Sequence, residues 1–253
     1  MDKKPLTLWC AYPADLQGDG VAAACAALLS DEERARVARF KFERNRLESL
    51  ATRALVRTAL SRSRPVSPRG WQFKSNAQGK PEVDPECGLR FNLSNSVGLV
   101  VCLVAEGGSD VGVDVELFER AEQIMEVLPK VFSPIEQAQL EALPEAERRD
   151  RALSLWTLKE SYIKARGLGL LIPLDKFSFA FDESGGIRLE MDSSLDDTAE
   201  RWRFCQIDHA GHRIAVMVDR SAADELELWE ARPVLAPPVR VNLGTVRWFP
   251  PEV

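Results

Sequence analysis

Short segments of alternating or continuous apolar residues recur along the chain and are typical of β-strands. The first part of the chain contains LTLWCAY (6–12), the short GWQFKS (70–75), RFNLSNS (90–96), VGLVVCLVA (97–105) and DVGVDVEL (110–117). The second part contains LDKFSFAFD, GIRLEMD, RWRFCQID and HRIAVMVD, with the turn DHAGH between the last two. The pattern therefore predicts two groups of strands, and the DHAGH turn predicts a hairpin.

Helical periodicity occurs in two regions, one within the first group of strands and one between the two groups. Ser30 precedes an amphipathic stretch, and Glu33 follows three residues later. This spacing predicts a helix N-terminus with a capping box. This helical character continues, past a break near Phe42, through LESLATRALVRTALS. Further on, IMEVLPKVFSPIEQAQLEAL predicts helical segments with a proline break, and ERRDRALSLWTLKESYIKARG predicts a long helix that ends at Gly167.

The layout of a helical segment followed by strands occurs twice, without a short sequence repeat. This predicts an α+β protein built from two similar halves joined near residue 118. We predict an N-terminal half at 1–117, a C-terminal half at 118–233 and a proline-rich tail at 234–253 that runs extended over the surface.

Composition narrows the class of protein. The chain has 253 residues, of which 45% are hydrophobic and 28% charged, as in ordinary globular proteins. Its net charge of −6 argues against a general nucleic-acid binder. We find no apolar run long enough to cross a bilayer and no stretch like a signal peptide. Five cysteines without a CxxC pair indicate reduced thiols and a cytoplasmic location.

Two carboxylates lie close together in the predicted strand DVGVDVEL. Asp114 and Glu116 are two positions apart, so both point to one face of the strand, while Val113 and Val115 point to the other. Side-by-side carboxylates repel each other unless a cation or a proton lies between them, and Mg²⁺ prefers such oxygen ligands. The alternative is a solvated acidic face on an edge strand.

A row of three side chains recurs every four residues in the long second helix. Trp156, Glu160 and Lys164 therefore share one helix face. Glu160 could provide a third carboxylate for a metal site, with the Lys164 ammonium nearby. The alternative is a surface ion pair between Glu160 and Lys164, worth about 0.3–0.5 kcal/mol.

Basic residues concentrate in the first helical region. The eleven between positions 34 and 69 are Arg34, Arg36, Arg39, Lys41, Arg44, Arg46, Arg53, Arg57, Arg62, Arg64 and Arg69. They suggest a ligand with phosphates, held by side chains because neither GxxxxGK[ST] nor GxGxxG occurs. A solvated helix face is the alternative.

The two histidines, His209 and His212, lie in the predicted hairpin turn, which argues against a metal site or a Ser/His/Asp triad there.

Five sequence blocks together resemble a known family. They are QGKPEV (78–83), FNLSNS (91–96), GVDVE (112–116), FSPIEQ (132–137) and WTLKESYIKARGLGL (156–170). In this order and spacing they resemble the signature of the 4′-phosphopantetheinyl transferases. The length and doubled layout are similar to the monomeric Sfp-type branch, a pseudo-dimer with its active site between the halves.

The resemblance implies an activity and a set of partners. Such an enzyme transfers the 4′-phosphopantetheine of coenzyme A to a serine of an apo acyl carrier protein, or of a peptidyl or aryl carrier domain. The products are the holo carrier protein and adenosine 3′,5′-bisphosphate. The implied cofactor is Mg²⁺, with Mn²⁺ as an alternative, and coenzyme A is the co-substrate. We expect a cytoplasmic monomer without nucleic-acid or membrane partners.

The resemblance also assigns roles to individual residues. It implies a metal site of Asp114, Glu116 and Glu160. The implied catalytic residues are Glu160, which helps to remove the serine proton, Lys164, which neutralises the departing bisphosphate, and Asp114. Trp156 is expected to pack the helix. The N-terminal half would bind most of the nucleotide, through Arg36, Ser49, Lys80, Ser94 and Asn95.

Two positions depart from the family pattern and leave other functions open. Family members usually carry a histidine where this chain has Asn95, and some carry a lysine where it has Glu33. An asparagine can donate a hydrogen bond but cannot carry a positive charge, so coenzyme A binding could be weaker. The alternatives are a non-catalytic module that binds coenzyme A or a carrier protein, and a metal-dependent phosphoesterase. The complete set of three carboxylates favours the transferase.

Overall fold

The computed structural model describes residues 4–232, 234 and 236–250. The strands are β1 (Leu6–Ala11), β2 (Gln72–Ser75), β3 (Pro81–Asp84), β4 (Leu89–Ser96), β5 (Leu99–Glu106), β6 (Val111–Leu117), β7 (Phe177–Phe181), β8 (Ile187–Met191), β9 (Trp202–His209), β10 (His212–Asp219), β11 (Leu226–Arg232) and β12 (Ala236–Val241). The helices are α1 (Val21–Ala27), α2 (Asp31–Ala38), α3 (Glu43–Ser63), α4 (Ala121–Val131), α5 (Pro134–Ala142) and α6 (Glu145–Arg166).

The chain divides into two compact α+β units. The first unit comprises Met1–Ser109 and Ala222–Gly244, and the second comprises Asp110–Ser221 and Thr245–Val253. This division differs from the boundary expected after residue 117, because β6 pairs with β10 and so lies in the second unit. The α+β class and the doubled organisation expected from the sequence are confirmed.

The first unit is built on a five-stranded sheet with the order β12-β11-β1-β5-β4. The long helix α3 lies against β1, β4 and β5, and it buries Leu55 and Leu60 completely. Burying such a side chain contributes about 1.5–3 kcal/mol. Helix α2 begins at Ser30 with the predicted capping box, and Phe42 is the N-cap of α3, so the predicted break is also correct.

The second unit is built on a three-stranded sheet with the order β6-β10-β9, and β7 and β8 form a separate hairpin. Helix α6 lies across β6 and β10. It ends at Gly167, as predicted, because a left-handed backbone (φ 63°) is easily adopted by glycine. The predicted hairpin of β9 and β10 is confirmed, with Ala210 and Gly211 at its turn.

Parts of the first unit differ from the sequence prediction. Strand β11, which the pattern did not reveal, pairs in parallel with β1 and returns the chain to the first unit. Within the predicted extended tail, β12 pairs with β11, while residues 235 and 251–253 lie outside the described residues. Where the pattern predicted only the short strand GWQFKS (70–75), the structure has a two-stranded hairpin of β2 and β3.

Across the described ranges, none of the helices combines the length and the apolar character that crossing a membrane requires.

Candidate active site

Strand β6 presents two buried carboxylates on one face. Asp114 is 4% exposed and Glu116 is 7% exposed, although β6 is an edge strand. The valines at 111, 113 and 115 are also buried and alternate with them along the strand. The alternative of a solvated acidic face is therefore wrong. Two buried carboxylates need compensating charge, because an unpaired buried charge is strongly destabilising.

Side chains of the second unit provide that compensating charge. The Lys164 ammonium on α6 donates to Asp114 Oδ1 at 2.5 Å. Arg120, in the turn after β6, donates from Nη1 to both oxygens of Glu116, at 3.0 and 2.9 Å. The sequence pattern predicted Lys164 near the acids but did not indicate Arg120, although Arg120 lies only four residues after Glu116. Both carboxylates are thus bound to cations of the chain itself.

Glu160 on α6 is electrostatically coupled to the same two acids. Burial raises the pKa of its carboxyl, the negative charges of Asp114 and Glu116 raise it further, and the Lys164 ammonium partly offsets them. All three predicted carboxylates therefore belong to one electrostatic cluster, which we call the acidic cluster: Asp114, Glu116 and Glu160. Strand β6 and helix α6 bring these side chains together from positions far apart in sequence.

The donor atoms of the acidic cluster fit Mg²⁺ chemically, because they are all carboxylate oxygens. As the side chains stand, however, no three His, Cys, Asp or Glu residues in the described part of the chain are close enough to hold one metal ion. The ion pairs to Lys164 and Arg120 give a physical reason, since each cation occupies carboxylate oxygens that a metal would need. A metal site of Asp114, Glu116 and Glu160 stays a prediction.

A glycine sets the distance between β6 and α6. A Cβ atom added at Gly112 would lie 2.0 Å from the Ser161 carbonyl oxygen and 2.4 Å from the Ala165 amide nitrogen. Only glycine allows so close an approach of helix to strand. Because Gly112 is two residues before Asp114, this contact lies next to the acidic cluster. The glycine of the GVDVE block is therefore required by the packing of α6 on β6.

A buried polar network fixes the opposite side of α6. The Lys159 ammonium donates at 2.7 Å both to Glu136 Oε2 and to the Phe177 carbonyl, and both charged side chains are almost completely buried. Glu136 also accepts from the Ser133 and Phe179 amides. Burial lowers the pKa of Lys159, and the neighbouring Glu136 carboxylate opposes this effect. The glutamate of the FSPIEQ block is therefore structural, and it holds α6 through the residue next to Glu160.

The first unit contains a cavity of about 1250 Å³ that includes several of the predicted nucleotide-binding residues. Arg36 on α2, Ser49 on α3 and Asn95 on β4 line it. Ser94 does not, because successive strand residues point to opposite faces, and it is buried with the other face of β4. Lys80 lies between two lining residues without lining the cavity itself. The alternation of apolar and polar residues in FNLSNS already indicates that Ser94 and Asn95 point to opposite faces of the strand.

The basic residues of the first unit are not one solvated face. Arg57 is 1% exposed and is bound to Glu33 at 2.7 Å, with Arg53 at 3.4 Å from the same carboxylate. Glu33 thus combines the capping box with a buried ion pair. Arg36 and Arg44 line the cavity, and the described residues offer neither of them an ion-pair partner. The sequence pattern did not distinguish Arg44 from the other basic residues of this region.

Comparisons with known proteins identify the family of the chain. A family model for the 4′-phosphopantetheinyl transferase superfamily matches residues 110–217, and one for the N-terminal part of a 4′-phosphopantetheinyl transferase matches residues 19–107. A phosphopantetheinyl transferase of a Thraustochytrium species is 34% identical over 81% of this chain and 75% of that protein. The 4′-phosphopantetheinyl transferase Sfp of Bacillus subtilis is 31% identical over 66% of this chain and 72% of that protein.

A third relative agrees with these matches. The 4′-phosphopantetheinyl transferase HetI of a Nostoc species is 30% identical over 72% of this chain and 74% of that protein. The chain belongs to the 4′-phosphopantetheinyl transferase superfamily, and within it to the Sfp-type members with an N-terminal and a C-terminal domain. It is a phosphopantetheinyl transferase, an enzyme that transfers the phosphopantetheine of coenzyme A to carrier proteins. The resemblance found in the sequence is confirmed.

Proposed function

We propose that the acidic cluster is the catalytic centre at which a carrier-protein serine attacks the pyrophosphate of coenzyme A. The observation that carries this proposal is the buried pair of carboxylates on β6, Asp114 and Glu116, with the Lys164 ammonium bound to Asp114. A phosphoryl group attacked by a hydroxyl requires charge neutralisation and alignment more than a covalent enzyme intermediate. The nucleophile is supplied by the partner protein.

The residues of the acidic cluster would hold one Mg²⁺ ion, through Asp114, Glu116 and Glu160. When bound, the ion would neutralise and orient the pyrophosphate oxygens. Lys164 and Arg120 would then exchange their carboxylate contacts for phosphate oxygens, which are also anionic acceptors. The arrangement thus changes partners without leaving a buried charge uncompensated.

Glu160 is the proposed acceptor of the serine proton. Its raised pKa brings its basicity closer to that useful in general base catalysis near neutral pH. Lys164 would stabilise the charge of the departing adenosine 3′,5′-bisphosphate. Before the donor binds, Asp114 positions the Lys164 ammonium through their 2.5 Å contact.

The cavity of the first unit is the proposed binding site for the nucleotide. Arg36 and Arg44 provide guanidinium groups for phosphate oxygens, and Ser49 and Asn95 provide hydrogen-bonding groups for the ribose end. Lys80 and Ser94 stay predictions from the family resemblance.

The cysteines at 10, 25, 87, 102 and 205 are all free thiols, which supports the expected cytoplasmic location.

The direct test uses mass spectrometry of an apo carrier protein incubated with the enzyme, coenzyme A and Mg²⁺. We expect the carrier protein to gain the mass of phosphopantetheine and the reaction to stop when EDTA removes the metal. Replacement of the acceptor serine by alanine is the matched control and should prevent the gain. A full rate in EDTA would contradict the metal assignment, and release of inorganic phosphate without carrier modification would indicate a phosphoesterase.

A further inference from the structure

Asp197 provides a buried carboxylate in an exposed segment between β8 and β9. Its side chain is 2% exposed, whereas the neighbouring Asp196 and Thr198 are exposed. A carboxylate is costly to bury unless cations and hydrogen-bond donors surround it. The donors that compensate Asp197 therefore show which elements this segment holds in place.

Two of these donors lie on the last turns of α6. The Tyr162 hydroxyl donates to Asp197 Oδ2 at 2.9 Å, and Arg166 Nη1 donates to the same oxygen at 2.6 Å. Arg166 also donates to the Tyr162 hydroxyl oxygen at 3.1 Å and to the Asp196 carbonyl at 3.2 Å. A third donor, Trp202 Nε1 at the start of β9, lies 2.8 Å from Asp197 Oδ2. Asp197 thus joins the C-terminal end of α6 to β9.

The network continues from Asp197 to strand β6. Arg201 Nη1 lies 3.7 Å from Asp197 Oδ1, and Arg201 Nε donates at 2.9 Å to Asp219, at the end of β10. Arg201 is also paired with Asp110, the residue before β6. The Asp219 amide donates to the Asp110 carbonyl at 2.9 Å. A chain of charged contacts therefore connects the end of α6 with the beginning of β6, the two elements that carry the acidic cluster.

The residues of α6 that bind Asp197 lie opposite the residues that face the acidic cluster. Tyr162 and Arg166 are four positions apart and share one helix face, as do Glu160 and Lys164. The two pairs are offset by two residues, which is about 200° around a helix. Asp197 thus holds the last turns of α6 from the side that faces away from the acidic cluster.

We propose that Asp197 is a positioning residue for the transfer reaction, which fixes the last turns of α6 so that Glu160 and Lys164 meet the carboxylates of β6. This inference rests on the proposed function, since it concerns the same catalytic centre. Asp197 acts through α6 and not on the reacting atoms. A misplacement of reacting groups by about 1 Å can slow an enzyme about a hundredfold. The proposed nucleotide site lies in the first unit, so the loss of Asp197 should affect the rate more than the binding of coenzyme A.

Asp197→Asn and Tyr162→Phe test this role with little change of side-chain volume. Asp197→Asn removes the negative charge, whereas Tyr162→Phe removes only the hydroxyl and keeps the ring that contacts Phe177 and Trp202. For the folded fraction of Asp197→Asn, determined by circular dichroism, we expect kcat to fall about ten- to a hundredfold and the KM for coenzyme A to change less than about twofold. Tyr162→Phe should show a smaller fall of kcat with the same unchanged KM.

Lys176→Gln is the matched control, because it breaks an ion pair of 3.1 Å to Asp192 at the beginning of the same segment. It should keep the wild-type kcat. Amide hydrogen exchange gives a readout that does not depend on transfer. In Asp197→Asn the amides of residues 163–167 should exchange faster than in the wild type, while those of β7 should not. In Lys176→Gln both sets should exchange as in the wild type.

Glu160→Gln in the same assay separates this inference from the proposed function. If Glu160→Gln loses transfer while Asp197→Asn and Tyr162→Phe keep the wild-type kcat, the positioning role is wrong and the proposed catalytic centre stands. A lower melting temperature of Asp197→Asn with an unchanged kcat in its folded fraction would also overturn the positioning role. A wild-type rate in Glu160→Gln would instead contradict the proposed centre, and the positioning role with it.

Discussion

At the scale of single residues, the acidic cluster is a set of charges in which each acid has a defined neighbour. Asp114 is bound to Lys164, Glu116 is bound to Arg120, and Glu160 is coupled to both acids. Burial makes these pairings necessary, since each carboxylate would otherwise lose its solvation without compensation. Because each acid has its own partner, a single substitution tests each contact.

Replacing Glu160 by glutamine preserves the shape of the side chain but removes its ability to accept a proton. We expect transfer to slow by a factor on the order of 10²–10⁴, as when a general base is lost. The rate is measured as holo carrier protein formed per minute by mass spectrometry. Glu147→Gln, an exposed position on the same helix, should keep the wild-type rate. A Glu160→Gln rate close to the wild type would show that another group accepts the proton.

At the proposed metal site, Arg120 would compete with the metal ion for the oxygens of Glu116. Its side chain is 40% exposed, so the ion pair is worth about 0.5–1 kcal/mol after solvent screening. In Arg120→Gln we therefore expect the Mg²⁺ concentration for half-maximal activity to fall about two- to fivefold. Arg149→Gln breaks an exposed ion pair to Glu122 in the same unit and provides the control. A higher Mg²⁺ requirement in Arg120→Gln would contradict the competition.

At the scale of secondary-structure elements, the site depends on the fixed contact between β6 and α6. Two features of α6 maintain it: the close approach at Gly112 on one side and the buried Lys159–Glu136 pair on the other. Consecutive residues of α6 thus have opposite roles, because Lys159 lies in the core network whereas Glu160 belongs to the acidic cluster. A small shift of this helix would separate Glu160 and Lys164 from the strand carboxylates.

Gly112→Ala tests this contact. The added methyl group would overlap backbone atoms of Ser161 and Ala165, so we expect the free energy of unfolding to fall by at least about 2 kcal/mol. Activity should fall too in the fraction that remains folded. Urea unfolding followed by circular dichroism gives the stability.

Gly70→Ala is the comparison for this substitution, because its added methyl group would approach only side-chain atoms, at 3.3 Å. It should cost less than about 1 kcal/mol. Equal stabilities of the two alanine variants would refute the close packing of α6 on β6.

At the scale of the whole molecule, the acidic cluster links stability to pH and metal. The raised pKa of Glu160 means that folding favours its protonated form. Below pH 4.5, the ordinary pKa of a glutamate, Glu160 is protonated in both the folded and the unfolded protein, and ionisation costs no stability. Above the raised pKa of the folded state, Glu160 is ionised in both, and the folded protein carries the full cost of a buried negative charge. The metal-free protein therefore loses stability as pH rises through this range. A cation bound at the proposed metal site would remove that cost.

The melting temperature should therefore increase on addition of Mg²⁺ more at pH 7.5 than at pH 5. Differential scanning calorimetry with and without the metal, at matched ionic strength, measures both increases. In Glu160→Gln the increase should be smaller and nearly independent of pH. A larger effect of Mg²⁺ at pH 5 in the wild type would show that protons and metal do not compete at Glu160.

The sequence by itself determined the local features of this protein. Periodicity indicated most strands and helices, and residue types at the ends of helices indicated the capping box at Ser30 and the stop at Gly167. Alternation along β6 placed Asp114 and Glu116 on one face. These features depend on neighbours within a few residues, so their physical causes are present in short segments of the chain. The motif blocks are also short segments of the chain, so the sequence alone was enough to identify the family.

The tertiary structure alone decided which distant residues meet. The pairing of β11 with β1, the Lys164–Asp114 contact and the Glu136–Lys159 pair join positions far apart in sequence. The same holds for the contact of Asn95 with Glu48. Charge type and spacing could not specify these partners, because a side chain's partner depends on how strands and helices pack, and packing is a property of the assembled core.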